Sequence, residues 1–116
     1  MATEIEPLIM PFDPLWVTTS KREYREAVRR MGEEPGDTKG KDGLTSCIPG
    51  KGCVIWISRK VKAPDLYALA AHEATHAACD MLASIGEDTP AAEELAYMVQ
   101  SITAGIIIAR EGRSDG

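Results

Sequence analysis

Both histidines of the chain fall in one five-residue stretch, His72-Glu73-Ala74-Thr75-His76. If that stretch is helical, the two imidazoles lie on one face, one turn apart, and can grip a single zinc ion. Glu73 follows the first of them and borders the same face. That position suits a base that takes a proton from a water activated by the metal. The chemistry implied is metal-assisted hydrolysis.

A catalytic zinc usually takes three protein ligands and keeps a further position for water. No third histidine exists, so the third ligand must be a carboxylate or a thiolate. After the Gly86-Glu87-Asp88 turn comes a second periodic segment that opens with Thr89 and Pro90 and carries Glu93 and Glu94. Asp88 or Thr89 can cap a helix there, and proline is favoured in its first turn. A short turn makes two helices antiparallel neighbours, which would bring the start of the second beside the end of the first. Acidic residues in a first helical turn are also expected for their effect on the helix dipole alone. Leu95, Met98, Val99, Ile102 and Ile106 form an apolar stripe with helical spacing. Glu93, Ala96, Tyr97, Gln100 and Ala104 form a second stripe that reads as a wall facing the site, with Glu94 nearer solvent. Glu93 is therefore the expected third ligand.

The segment HEATHAACD followed by EELAYMVQ resembles the gluzincin metallopeptidases. The likeness is nearest to small phage- and prophage-encoded members, the minimal gluzincins, and covers roughly residues 53–108. It implies zinc held by His72, His76 and Glu93, with Glu73 as the catalytic base. The spacing to Ala96 and Tyr97 again selects Glu93. Asp80 matches an aspartate that follows the motif in thermolysin-like relatives. The chain departs from those relatives in having no further histidine to stabilise an oxyanion.

Several elements must position these residues. The run 65–85 reads as a helix after Pro64, with Asp65 as N-cap and Gly86 as stop. Its apolar residues go nearly all round, so a buried helix is expected. A buried His-Glu-His cluster is costly unless something satisfies it, and zinc would; hydrogen bonds to neighbours are the plainer alternative. Tyr97 or Asp80 could orient an imidazole through its second nitrogen, or could serve only as a packing tyrosine and a solvated aspartate. Cys79, three residues after His76, could approach the metal as a fourth ligand, and reads first as a small buried thiol.

Upstream, 8–18 is a candidate strand interrupted by Pro11 and Pro14, hence an edge or irregular one. Ser20 and Glu23 form a capping-box pattern for a helix over 21–31, ended by Gly32. Residues 33–43 read as a mobile loop, and 112–116 as a fraying tail. Strands over 44–48 and 53–58 form a hairpin around Pro49-Gly50-Lys51-Gly52, the second covered on both faces or nearly so. Cys47 and Cys53 flank that turn, so a disulfide between them is geometrically allowed. The expected fold is a single α+β domain over 1–116: a small, mainly antiparallel sheet with helices on one face. Under the gluzincin resemblance, the first long helix is a zincin-like active-site helix followed by a glutamate helix. The hairpin is then the candidate edge for pairing with an extended peptide.

The chain has 116 residues, a net charge of −5 and 27% charged residues, ordinary for one globular domain with a modest core. Its basic residues around Lys21, Arg25 and Arg30 alternate with glutamates, which gives no reason to expect a nucleic-acid partner. No apolar run is long enough for a membrane span. The opening residues carry acids and prolines and no basic region, so no signal peptide is expected. Three cysteines agree with a reducing compartment, and the expected location is the cytoplasm of a host cell or a phage particle; no C-x-x-C exists to suggest a structural cysteine-zinc site. The expected function is zinc-dependent hydrolysis of a peptide or protein substrate. The alternative is a phage structural or interaction protein in which zinc stabilises the fold.

Overall fold

The computed structural model describes residues 3–5, 14–86 and 92–111. The elements in chain order are β1 (Thr3–Ile5), β2 (Leu15–Thr18), α1 (Lys21–Arg30), β3 (Gly43–Ile48), β4 (Gly52–Ile57), α2 (Asp65–Ser84) and α3 (Ala92–Glu111). The strands form a four-stranded sheet in the order β1-β2-β4-β3. The outer pairings are antiparallel and the central β2–β4 pairing is parallel. The fold is α+β, as expected, with most strand pairs antiparallel.

Two layers of helix enclose the sheet, which corrects the expectation of helices on one face. The reason lies in β4, whose six residues are all buried. Cys53, Ile55 and Ile57 pack with the apolar faces of α2 and α3, while Val54 and Trp56 pack with Tyr24, Val28 and Met31 of α1 and its end. Alternate residues of a strand point to opposite faces, so a fully apolar strand needs cover on both. α1 supplies the second cover and is tied to β3 by a 2.6 Å hydrogen bond between the Tyr24 and Ser46 hydroxyls.

β2 is an interior strand rather than an edge. Pro14 immediately precedes it, and the Pro14 carbonyl accepts from the Cys53 N–H at 2.8 Å. Proline thus stands where it costs no ladder donor. The rest of the expected strand, 8–13, lies outside the described residues. The hairpin turn depends on Gly52, whose φ is +145°. A Cβ there would come within 2.9 Å of the Pro14 carbonyl oxygen and of the Trp16 ring.

α1 begins as its sequence implies, with the Ser20 hydroxyl accepting from the Glu23 N–H. Residues 33–42 form no helix or strand. α2 starts one residue earlier in register than expected: Pro64 is the N-cap and Asp65 the first helical residue. α2 packs on β3 and β4 and lies alongside α3, which covers β1 and β2. Ala70, Ala74, Ala77 and Ala78 share one core with Met98, Ile102 and Ile106, all wholly buried. Alanines at a helix contact allow the axes to approach closely. Arg110 secures the far end of α3 by donating to the carbonyls of Arg59 and Val61 at 2.6 and 2.7 Å. Among the described residues, no helix is long and apolar enough to cross a membrane.

Candidate functional site

The H-E-x-x-H segment lies in the middle of α2, as its spacing implies. The helix is not buried all round. Leu66, Ala70, Glu73, Ala74, Ala77, Ala78, Met81 and Leu82 form its buried face. His72, Thr75, His76, Cys79 and Asp80 are exposed on the other. Alanine misled the expectation: Ala68 and Ala83 are exposed, and a methyl group costs little there.

The motif is thereby divided. The rings of His72 and His76 stand together with centroids 4.8 Å apart in an edge-to-face arrangement. Among the described residues, neither imidazole has a protein hydrogen-bond partner, so the plainer alternative finds no support there. Glu73, about 100° round the helix from His72, is only 4% exposed. Its carboxylate Oε1 accepts a 2.6 Å hydrogen bond from the Thr45 hydroxyl on β3. That hydroxyl also lies 3.3 Å from the Glu73 backbone carbonyl. A buried carboxylate needs such a partner. A cavity of about 570 Å³ lies elsewhere, on the α1 side, lined by Trp16, Arg22, Glu26 and Arg30 among others, and by no residue of the motif.

The glutamates of α3 are placed in the reverse of the expected order. Glu93 is exposed and Glu94 half-buried. Glu94 precedes Met98 by one helical turn and Ile102 by two, so it belongs to the buried stripe. The whole second stripe of Glu93, Ala96, Tyr97, Gln100 and Ala104 is exposed, with Tyr97 at 53%. Among the described residues, no three His, Cys, Asp or Glu side chains are gathered as a metal-holding group. Glu93 is therefore not brought to the histidine pair, and neither Asp80 nor Tyr97 hydrogen-bonds to an imidazole. The expected caps of α3 at Asp88 and Thr89, and Pro90, lie outside the described residues. The two imidazoles one turn apart are zinc donors in kind, and the described residues bring no third ligand beside them.

The cysteines differ from expectation in one respect. Cys79 is a free thiol on the exposed face of α2, not a buried one. Cys47 and Cys53 are joined by a disulfide. They are directly opposed residues in the β3–β4 ladder, which brings them within reach of each other.

Two contributors to the site were not singled out in the sequence: Thr45, which holds the Glu73 carboxylate, and Gly43, beside its other oxygen. Their signal in β3 was a row of small residues, Gly43, Thr45 and Cys47, on one face of the strand. A strand row of small side chains marks a face against which another element lies close. No protein-family model, curated protein or solved structure matches this chain.

Proposed function

We propose that the chain is a zinc-dependent metallopeptidase, with His72, His76 and Glu93 as metal ligands and Glu73 as general base. The observation that carries this reading is the division of the motif. Two imidazoles stand exposed and unbonded one turn apart, while the glutamate between them is buried and held in place by Thr45. A helix that merely covered the sheet would have no use for a buried carboxylate at this point.

When bound, zinc would lower the pKa of a water toward about 7 and polarise the peptide carbonyl. The Glu73 carboxylate accepts the proton of the attacking water and returns it to the departing amine nitrogen. Thr45 holds that carboxylate through its hydroxyl. β3 is the outer strand of the sheet among the described residues and lies next to the base, and an extended peptide could pair with it through main-chain hydrogen bonds. Glu93 is proposed as the third ligand because its side chain is exposed, whereas Glu94 is half-buried beside the apolar stripe of α3.

The second reading makes zinc a stabiliser in a structural or interaction protein. The exposure of Cys79 on the histidine face favours it, because a thiolate there could close the coordination. The test is metal content together with hydrolysis of fluorescein-labelled casein. The peptidase reading expects about one zinc per chain, cleavage abolished by a chelator and restored by zinc, and loss of both properties in His72→Ala and His76→Ala. Zinc without cleavage, lost on Cys79→Ser, would establish the stabilising role. Undiminished zinc in either histidine variant would refute both.

A further inference from the structure

We infer that the edge strand β3 positions the general base: Thr45 holds the Glu73 carboxylate, and the bare backbone of Gly43 leaves the space in which it lies. The inference rests on the peptidase reading and adds to it two residues outside the motif.

Register establishes the arrangement first. Gly43, Thr45 and Cys47 are directly opposite Ile57, Ile55 and Cys53 of β4. Opposed residues share a face, and the β4 row packs under α2 and α3. The three small residues of β3 therefore look toward α2. Thr45 is β-branched and stiff at χ1, so its hydroxyl has a fixed direction. It reaches Glu73 Oε1 at 2.6 Å. The other oxygen is confined by space rather than by a donor. A Cβ on Gly43 would lie 3.3 Å from Glu73 Oε2, 3.2 Å from Leu69 Cδ1 and 3.2 Å from the Trp56 carbonyl oxygen. Any side chain at Gly43 must push against the carboxylate, against Leu69 or against the sheet.

This defines a positioning role. Thr45 does not touch the reacting atoms; it sets where the carboxylate stands when they arrive. A displacement of the order of 1 Å at a catalytic group can cost about 100-fold in rate. A purely structural tie would alter stability and leave turnover per bound zinc unchanged.

The experiment compares Thr45→Val, Thr45→Ser and Gly43→Ala with the wild type in the zinc-loaded protein, measuring zinc content, kcat and KM on one peptide. Thr45→Val keeps the shape and removes the donor. It is expected to lower kcat about 10- to 100-fold with zinc content and KM near wild type. Thr45→Ser restores the donor and is expected to recover most of the loss. Gly43→Ala is expected to lower kcat in the same way. A second arm uses metal-free protein and needs no activity: the melting shift caused by Thr45→Val is measured in the wild type and in Glu73→Ala. The shift is expected to shrink in the Glu73→Ala background, because the bond partner is gone. Equal shifts in both backgrounds, or a Thr45→Val enzyme with wild-type kcat, would overturn the inference while leaving an active wild type in place. A wild type that holds no zinc and cleaves nothing would remove the peptidase reading, and the inference with it.

Discussion

Replacing Glu73 with glutamine separates what the residue does for the fold from what it does for the reaction. The side chain is 4% exposed, and its carboxylate accepts from Thr45 at 2.6 Å. Glutamine is nearly isosteric, and its carbonyl oxygen can accept the same bond. A hydrogen bond to a charged group contributes about 1.5–3 kcal/mol, against about 0.5–1.5 kcal/mol for a neutral one. The substitution therefore gives up about 1 kcal/mol of bonding. Against this, it removes a buried charge whose desolvation costs as much or more. The metal-free variant should melt within a few degrees of the wild type, or above it. Zinc should stay bound, because Glu73 is not proposed as a ligand.

Hydrolysis should respond quite differently. A positioned general base contributes about 100- to 10,000-fold, equivalent to about 3–5 kcal/mol of barrier. The glutamine amide cannot take the proton. The assay is a thermal melt, a zinc determination and the initial rate on labelled casein, all on one preparation. Intact zinc, an unchanged melt and a rate reduced at least 100-fold are expected. A Glu73→Gln protein that cleaves at the wild-type rate would refute the proposed base. Loss of zinc in that variant would show Glu73 to be a ligand, and the division of roles would have to be redrawn.

Glu93→Gln should weaken zinc binding by at least about tenfold in a competition titration, as expected for loss of one of three ligands. Glu94→Gln should change stability more than affinity, and the opposite pattern would transfer the ligand role to Glu94. Reducing the Cys47–Cys53 disulfide, whose partners are 6 residues apart in sequence, removes a small closed loop. The expected cost is about 2 kcal/mol, or roughly 8 °C in melting temperature; an unchanged melt under a dithiol would argue against that contribution. Glu23 is held below its ordinary pKa of 4.5, chiefly by the Thr18 hydroxyl. A depressed carboxylate pKa stabilises the fold above the unfolded value and loses that contribution as pH falls through the folded one. Thr18→Val should therefore be less stable than wild type near neutral pH, with the gap narrowing below about pH 4.5 in a melt series; a gap independent of pH would sink the assignment.

Which parts of this molecule could be read from its sequence follows from the range of the interactions involved. The relation of His72 to His76 is a property of one helix, carried by a spacing of one turn, and was legible at once. The burial of β4 on both faces was legible too. It contradicted the expectation of helices on one side, because an all-apolar strand needs a layer on each face. The apolar stripe of α3 was read correctly, but Glu94 was not counted with it, although its distance from Met98 and Ile102 puts it there. The exposed histidine face of α2 was obscured by alanine, which fits either side of a helix. The contact between Thr45 and Glu73 is of another kind. Those residues are 28 apart in sequence, and they meet only because β3 takes the outer place in the sheet and α2 crosses back over it. Neither residue type announces the partner. What the chain did display was a row of small side chains on one strand and a lone acid on the apolar side of one helix. Each is a local oddity, and only the sheet order makes them a single device.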